Sequence, residues 1–109
     1  MLKIEARSQG FSLTPALAAY ARQQVHHALG HRAERLRDVA VRLQDINGPR
    51  GGVDKECHVT ARLRGGRTVI VRRRHEDLYV AVRDAAEVAG RRCDEYVDRQ
   101  RGGRREGLR

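Results

Sequence analysis

Long apolar runs are missing from this sequence. Nothing approaches the roughly 18 consecutive apolar residues of a membrane-spanning helix, and Met1-Leu2-Lys3-Ile4-Glu5 alternates where a secretory leader would be continuously apolar. Neither a membrane span nor a signal peptide is expected. Cysteine is scarce: Cys57 and Cys93 are the only two, and no CxxC pair exists, which excludes a four-cysteine metal site. Both read as small core residues of a reduced, cytoplasmic protein. A disulfide between them stays open at this point, because separation along the chain says nothing about separation in the fold. Aromatic residues are few, namely Phe11, Tyr20, Tyr79 and Tyr96. None forms a pair on adjacent exposed strands, which argues against recognition by base stacking. Lysine is limited to Lys3 and Lys55.

What is present is arginine. The 109 residues carry 23 Lys+Arg against 14 Asp+Glu, a formal charge of +9. With 39% hydrophobic and 34% charged residues, the chain can build the modest core of one compact domain and is not disordered throughout. The charge is zoned. Residues 62–74 hold six arginines and no acid, and residues 99–109 hold five arginines and one glutamate, whereas residues 75–98 hold three arginines against seven acids. Such zoning favours a basic docking surface for a polyanion over uniform solubilisation. The alternative is a solvated basic face without such a partner, since coding bias alone raises arginine content.

Leu2, Ile4 and Ala6 alternate with Lys3, Glu5 and Arg7, the period of a strand with one buried face. Thr14-Pro15 is a helix start; Leu17, Ala21, Val25 and Ala28 or Leu29 then form an apolar stripe that ends near Gly30. Strands are expected at about Leu36 to Gln44, Lys55 to Leu63 and Arg67 to Arg73, with a glycine-rich loop at 47–52 and a Gly65-Gly66 hairpin. A last helix starts near Glu76-Asp77 and carries Leu78, Val82, Ala85, Ala89, Cys93 and Tyr96 at helical spacing to about Val97, with Gly90 weakening it slightly.

The order β-α-β-β-β-α implies an α+β two-layer sandwich: a four-stranded mixed sheet, its first two strands parallel, with both helices on one face. Residues 1–98 form this domain and residues 99–109 a flexible basic C-terminal tail. The uncovered sheet face would carry some of Arg7, Arg42, His58, Thr60, Arg62 and Arg72.

Catalytic and metal readings are weak. His26, His27 and His31 cluster near the end of the first helix without an obvious third ligand, and suit the negative pole there as exposed histidines. His75-Glu76-Asp77 lacks a matched nucleophile and marks a strand-to-helix junction. Arg-Gly-Gly recurs at residues 50–52, 64–66 and 101–103, but the first two copies fall in loops of a folded domain. Gly48 to Gly52 is interrupted by Pro49 and precedes a strand, so it is no dinucleotide fingerprint. Arg50 is a candidate contact in that loop. The strongest feature is Arg62, Arg64, Arg67, Arg72, Arg73 and Arg74. Strand alternation cannot place all six on one face, so they predict a groove or edge footprint. Recognition would rest on phosphate positioning and shape.

Three segments together resemble the ribosome hibernation promoting factor family, also called the ribosome-associated inhibitor or sigma-54 modulation protein family. They are Phe11-Ser12-Leu13-Thr14-Pro15-Ala16-Leu17, the stretch from Asp45 through Asn47-Gly48-Pro49-Arg50-Gly51-Gly52 to Cys57, and Glu76-Asp77-Leu78-Tyr79-Val80-Ala81-Val82. The resemblance spans about residues 2–97. It implies the same strand-helix-three-strand-helix domain, no cofactor and no enzymatic activity. It also implies binding to the small ribosomal subunit in its rRNA-lined channel, which blocks translation and protects idle ribosomes under stress. Carried onto this chain, the rRNA-facing groups are Arg62, Arg64, Arg67, Arg72, Arg73, Arg74, Arg83, Arg91 and Arg92, with Arg50 and Lys55 as possible loop contacts. Asp45, Gly51, Gly52, Asp54, Lys55 and Tyr79 also match motif positions.

Two departures from the family pattern matter. Long members have a second domain that joins two ribosomes, so pairing by that route is not expected of this chain. The tail is short and basic. A rival reading from a different class is a protein-binding regulatory module, with a transcription regulator among its partners, that uses the sheet edge or the acidic second helix and no RNA.

Overall fold

The computed structural model describes residues 2–46 and 55–107, with side chains as far as Gln100. Strand β1 spans Ile4–Gln9, helix α1 Pro15–Leu29, β2 Leu36–Asp45, β3 Lys55–Leu63, β4 Thr68–His75 and helix α2 Leu78–Gly107. The sheet order is β1-β2-β3-β4. β1 and β2 are parallel, and the other two pairs are antiparallel. This is the expected α+β sandwich.

Each element has a local cause. Thr14 Oγ1 accepts a hydrogen bond from the Leu17 amide at 3.1 Å, and Pro15 stands where no intrahelical donor is needed. In the β3–β4 hairpin Gly65 and Gly66 both have φ +98°, a backbone region costly for side chains with a Cβ. At the next junction Asp77 Oδ1 accepts from the Tyr79 amide and His75 Nδ1 accepts from the Asp77 amide, both at 2.9 Å. His75-Glu76-Asp77 is thus a turn that starts α2.

One sheet face and both helices enclose the core. From α1 come Leu17, Ala21, Val25 and Leu29; from the strands Val39, Val41, Leu43, Cys57, Val59, Ala61, Leu63, Val69 and Val71; from α2 Val82, Ala85, Ala89, Cys93 and Val97. The choice between Ala28 and Leu29 falls to Leu29, which is fully buried. A register shift between Leu36 and Asp38 lets both Leu36 and Val39 face the core although an odd number of positions separates them. Cys57 and Cys93 are both buried and free, with no disulfide.

The structure departs from the sequence reading in two places. Residues Gly30–Arg35 form a 3-10 turn that short-range periodicity did not show. The last helix, expected to end at about Val97, continues as helical backbone through 99–107. That stretch contains no proline; its arginines favour helix, and each glycine opposes it by only about 1 kcal/mol.

Candidate nucleic-acid interface

Period-two alternation sends Lys3, Glu5 and Arg7 of the first strand region, Asp38, Ala40 and Arg42 of β2, Glu56, His58, Thr60 and Arg62 of β3, and Thr68, Ile70, Arg72 and Arg74 of β4 to the face away from the helices. Cross-strand register joins them into rows. Arg62 donates through Nε to Asp38 Oδ1 at 2.7 Å and forms a second contact with Oδ2. Arg74 donates to Glu56 at 3.0 Å, and Arg7 pairs with Glu5. The hydrogen bond from Arg62 holds the Asp38 carboxyl below its usual range and raises the guanidinium in turn. Arg42 and Arg72 have no carboxylate partner among the described residues, and His58 lies between them in register.

The remaining predicted arginines divide among other surfaces. Arg73 points to the helix side of β4 and is exposed, with Nη1 donating to the Arg72 carbonyl at 3.3 Å. Arg64 turns back to the Glu34 carbonyl at 3.1 Å. Arg67 stands over the Tyr96 ring, 5.2 Å from its centroid. Arg92 donates from α2 to the Ile70 carbonyl of β4 at 3.1 Å. Arg67, Ile70, Arg92, Tyr96 and Arg99 line a groove of about 320 Å³ between α2 and the outer edge of β4. Arg83 and Arg91 are exposed on α2, Arg83 within 3.7 Å of Asp84. Lys55 is bound to Asp45 at 3.0 Å. Arg50, with Gly51, Gly52 and Asp54, lies outside the described residues.

The arginines of β4 therefore wrap an edge strand from both sides, Arg72 and Arg74 on the open face and Arg73 on the other. Two residues outside the sequence-based set belong with them: Arg42, beside Arg72 across one strand, and Arg99, beside Arg92 in the groove. Alternation had put Arg42 on the open face, but only register shows how close it comes to the β4 arginines.

His31, Tyr20 and Tyr79 take structural positions, while His26 and His27 are exposed on α1. His31 bonds Asp94 at 2.9 Å, and Arg32 bonds the same carboxylate at 2.8 Å, tying the 3-10 turn to α2. Burial pushes the Asp94 carboxyl up, but the hydrogen bonds from Arg32 and His31 outweigh it and leave the group below its usual range. Tyr20 and Tyr79 pack on each other with centroids 4.8 Å apart. Among the described residues no group of three or more His, Cys, Asp or Glu is placed to hold a metal ion, and no helix is long and apolar enough to cross a membrane.

Comparison with known proteins agrees with this architecture. A ribosomal subunit interface protein from Coxiella burnetii shares the fold with a TM-score of 0.74 at 16% identity, over 89% of this chain and 99% of that one. The N-terminal domain of Protein Y from Thermus thermophilus gives 0.70 at 18% identity, over 88% and 99%. No curated protein matches. The sequence pattern of the sigma 54 modulation protein / S30EA ribosomal protein family matches residues 4–101, and so the chain belongs to that ribosome-associated family.

Proposed function

We propose that this protein is a non-enzymatic, cytoplasmic factor that binds the rRNA-lined channel of the small ribosomal subunit, and so inhibits translation and protects idle ribosomes under stress. The observation that carries this reading is the arginine-wrapped edge at β4. Arg67, Arg72, Arg73 and Arg92 come from a hairpin, both faces of one strand and a helix, and together they form a ridge in place of a flat patch. A ridge with charge on both flanks fits a groove lined by phosphates on two sides, where contacts position the protein and shape supplies selectivity. Ion pairing refines the predicted set. Arg62 and Arg74 are already engaged by Asp38 and Glu56, so they contribute less free charge than Arg72 and Arg73.

The rival protein-docking reading relied on the acids of α2. Asp94 and Asp98 both contact Arg32 within the fold, which leaves that helix less acidic toward a partner than its sequence suggests. Cosedimentation with purified small subunits at two salt concentrations, followed by chemical footprinting of their RNA, tests the proposal. Binding that weakens with salt and protects channel nucleotides is expected. No association even at low salt would refute it.

A further inference from the structure

Four residues line up straight across the open face: Arg7 opposite Arg42, Arg42 opposite His58, and His58 opposite Arg72. The next row is Glu5, Ala40, Thr60 and Ile70. Its two central side chains are short, so Ala40 and Thr60 form the floor of a depression of about 340 Å³ walled by Arg7, Arg42 and His58. A second depression of about 190 Å³ adjoins the same floor, beside Lys3, Glu5, Asp38 and Arg62. The larger volume falls in the range of small-ligand sites.

The perimeter charges are matched: Arg7 by Glu5, Arg62 by Asp38 and Arg74 by Glu56. The two guanidiniums flanking His58, those of Arg42 and Arg72, lack carboxylate partners among the described residues. Arg42 donates from Nη2 to His58 Nδ1 at 3.0 Å. A guanidinium has no acceptor to offer, so Nδ1 is the lone-pair nitrogen and the proton sits on Nε2. Nε2 is shut off from solvent and has no hydrogen-bond partner. An N–H in that state is unfavourable, and an anionic oxygen would relieve it.

We propose that this row and floor form a binding site for a phosphate-bearing nucleotide unit. Its phosphate oxygens would lie at Arg42, which lines the depression, and at Arg72, which stands next to His58 in register, and would reach His58 Nε2 once the groups covering it move aside. Its sugar and base would lie over Ala40 and Thr60, with Ile70, 52% exposed, next to Thr60 in the same row. Three donor groups suit a phosphoryl group, whose non-bridging oxygens each accept more than one hydrogen bond and pair readily with guanidinium groups. Glu5 does not repel the ligand's charge from the wall, because Arg7 neutralises it. A free mononucleotide and one nucleotide of an RNA strand offer the same chemistry. The site does not rest on the ribosome reading, since it requires only the register and charges of the sheet.

The test is a titration of the isotope-labelled full chain, followed by amide NMR, with 5′-AMP, adenosine and hexa-adenylate. AMP is expected to move the amides of Arg42, His58 and Thr60, and adenosine, lacking phosphate, to leave them in place. Movement with hexa-adenylate but not AMP would support the site and assign it to an RNA strand. Arg42→Ala and, separately, Arg72→Ala should each weaken the binding about tenfold, the loss of one charge-assisted hydrogen bond. The same spectra report whether each variant is folded. Arg22→Ala, on α1, should bind as the parent does. The proposal is overturned if neither phosphate ligand moves these amides, if adenosine moves them equally, or if the folded Arg42 and Arg72 variants bind like Arg22→Ala. Ribosome binding is not read in this experiment, so either conclusion can fail alone.

Discussion

Gly90 of α2 lies directly against Ala28 of α1: a Cβ at position 90 would stand 2.7 Å from the Ala28 carbonyl oxygen and 3.3 Å from its Cβ. The helices pack this closely because the glycine offers no side chain. From helix propensity alone, Gly90→Ala should stabilise the chain by roughly 1 kcal/mol. The expected outcome is the reverse, since overpacking costs about 1–3 kcal/mol and the contact is with backbone that cannot rotate away. Denaturant midpoints of the two chains check it; a higher midpoint for the variant would show that the helices can separate freely.

The His58 imidazole is held below its ordinary pKa by burial first, and then by the Arg42 and Arg72 charges. Above about pH 6.5 it is neutral in both folded and unfolded chains and has no effect. As pH falls below that value the unfolded chain takes up a proton that the folded chain resists, so stability declines. Asp38, its carboxyl lowered by the Arg62 hydrogen bond, acts in a separate window. Its contribution is present above the ordinary carboxylate value of 3.8 and is lost as pH falls through the depressed one. Urea midpoints at pH 7.5, 5.5 and 3 should show both steps, and His58→Gln should reduce the first while sparing the second. A first step unchanged in that variant would assign it elsewhere.

Burial pushes the Cys57 thiol up to about 12 and the Cys93 thiol up to about 11. The thiolate is the reactive form, so both groups should be inert in the folded chain. With a disulfide-exchange reagent at neutral pH, labelling should follow the rate of unfolding and become rapid only in denaturant. Fast labelling of either cysteine under native conditions contradicts this.

Arg67→Ala, Arg72→Ala and Arg73→Ala combined should weaken small-subunit cosedimentation and flatten its dependence on salt. Each lost phosphate contact lowers the logarithmic slope by roughly 0.7–0.9. Arg62→Ala should change that slope less, because the Arg62 guanidinium is already tied to Asp38. Equal slopes for the parent and the triple variant would place the RNA-binding surface elsewhere on the molecule.

Much of the fold was legible before any coordinates. Thr14-Pro15 and the stripe from Leu17 to Leu29 mark α1, and β3 runs from Lys55 to Leu63 as its alternation predicts. These features depend on neighbours in the chain, whose spacing decides which side chains share a face. The 3-10 turn after Gly30 was not legible, because it is tied down by Asp94, a residue far away in sequence that bonds His31 and Arg32. Gly90 read as a weak point in a helix; only the approach of Ala28 shows that a glycine is needed there.

The arginine site divides the same way. Composition and zoning marked the surface as basic, and alternation showed that Arg72 and Arg73 must point to opposite sides. Which charges remain free was decided by cross-strand register, which sets Arg62 and Arg74 beside carboxylates and leaves Arg42, His58 and Arg72 in a row. Local periodicity is a property of the chain. Ion pairing and hydrogen bonding between strands depend on distances of a few ångströms, which exist only after distant segments have packed together.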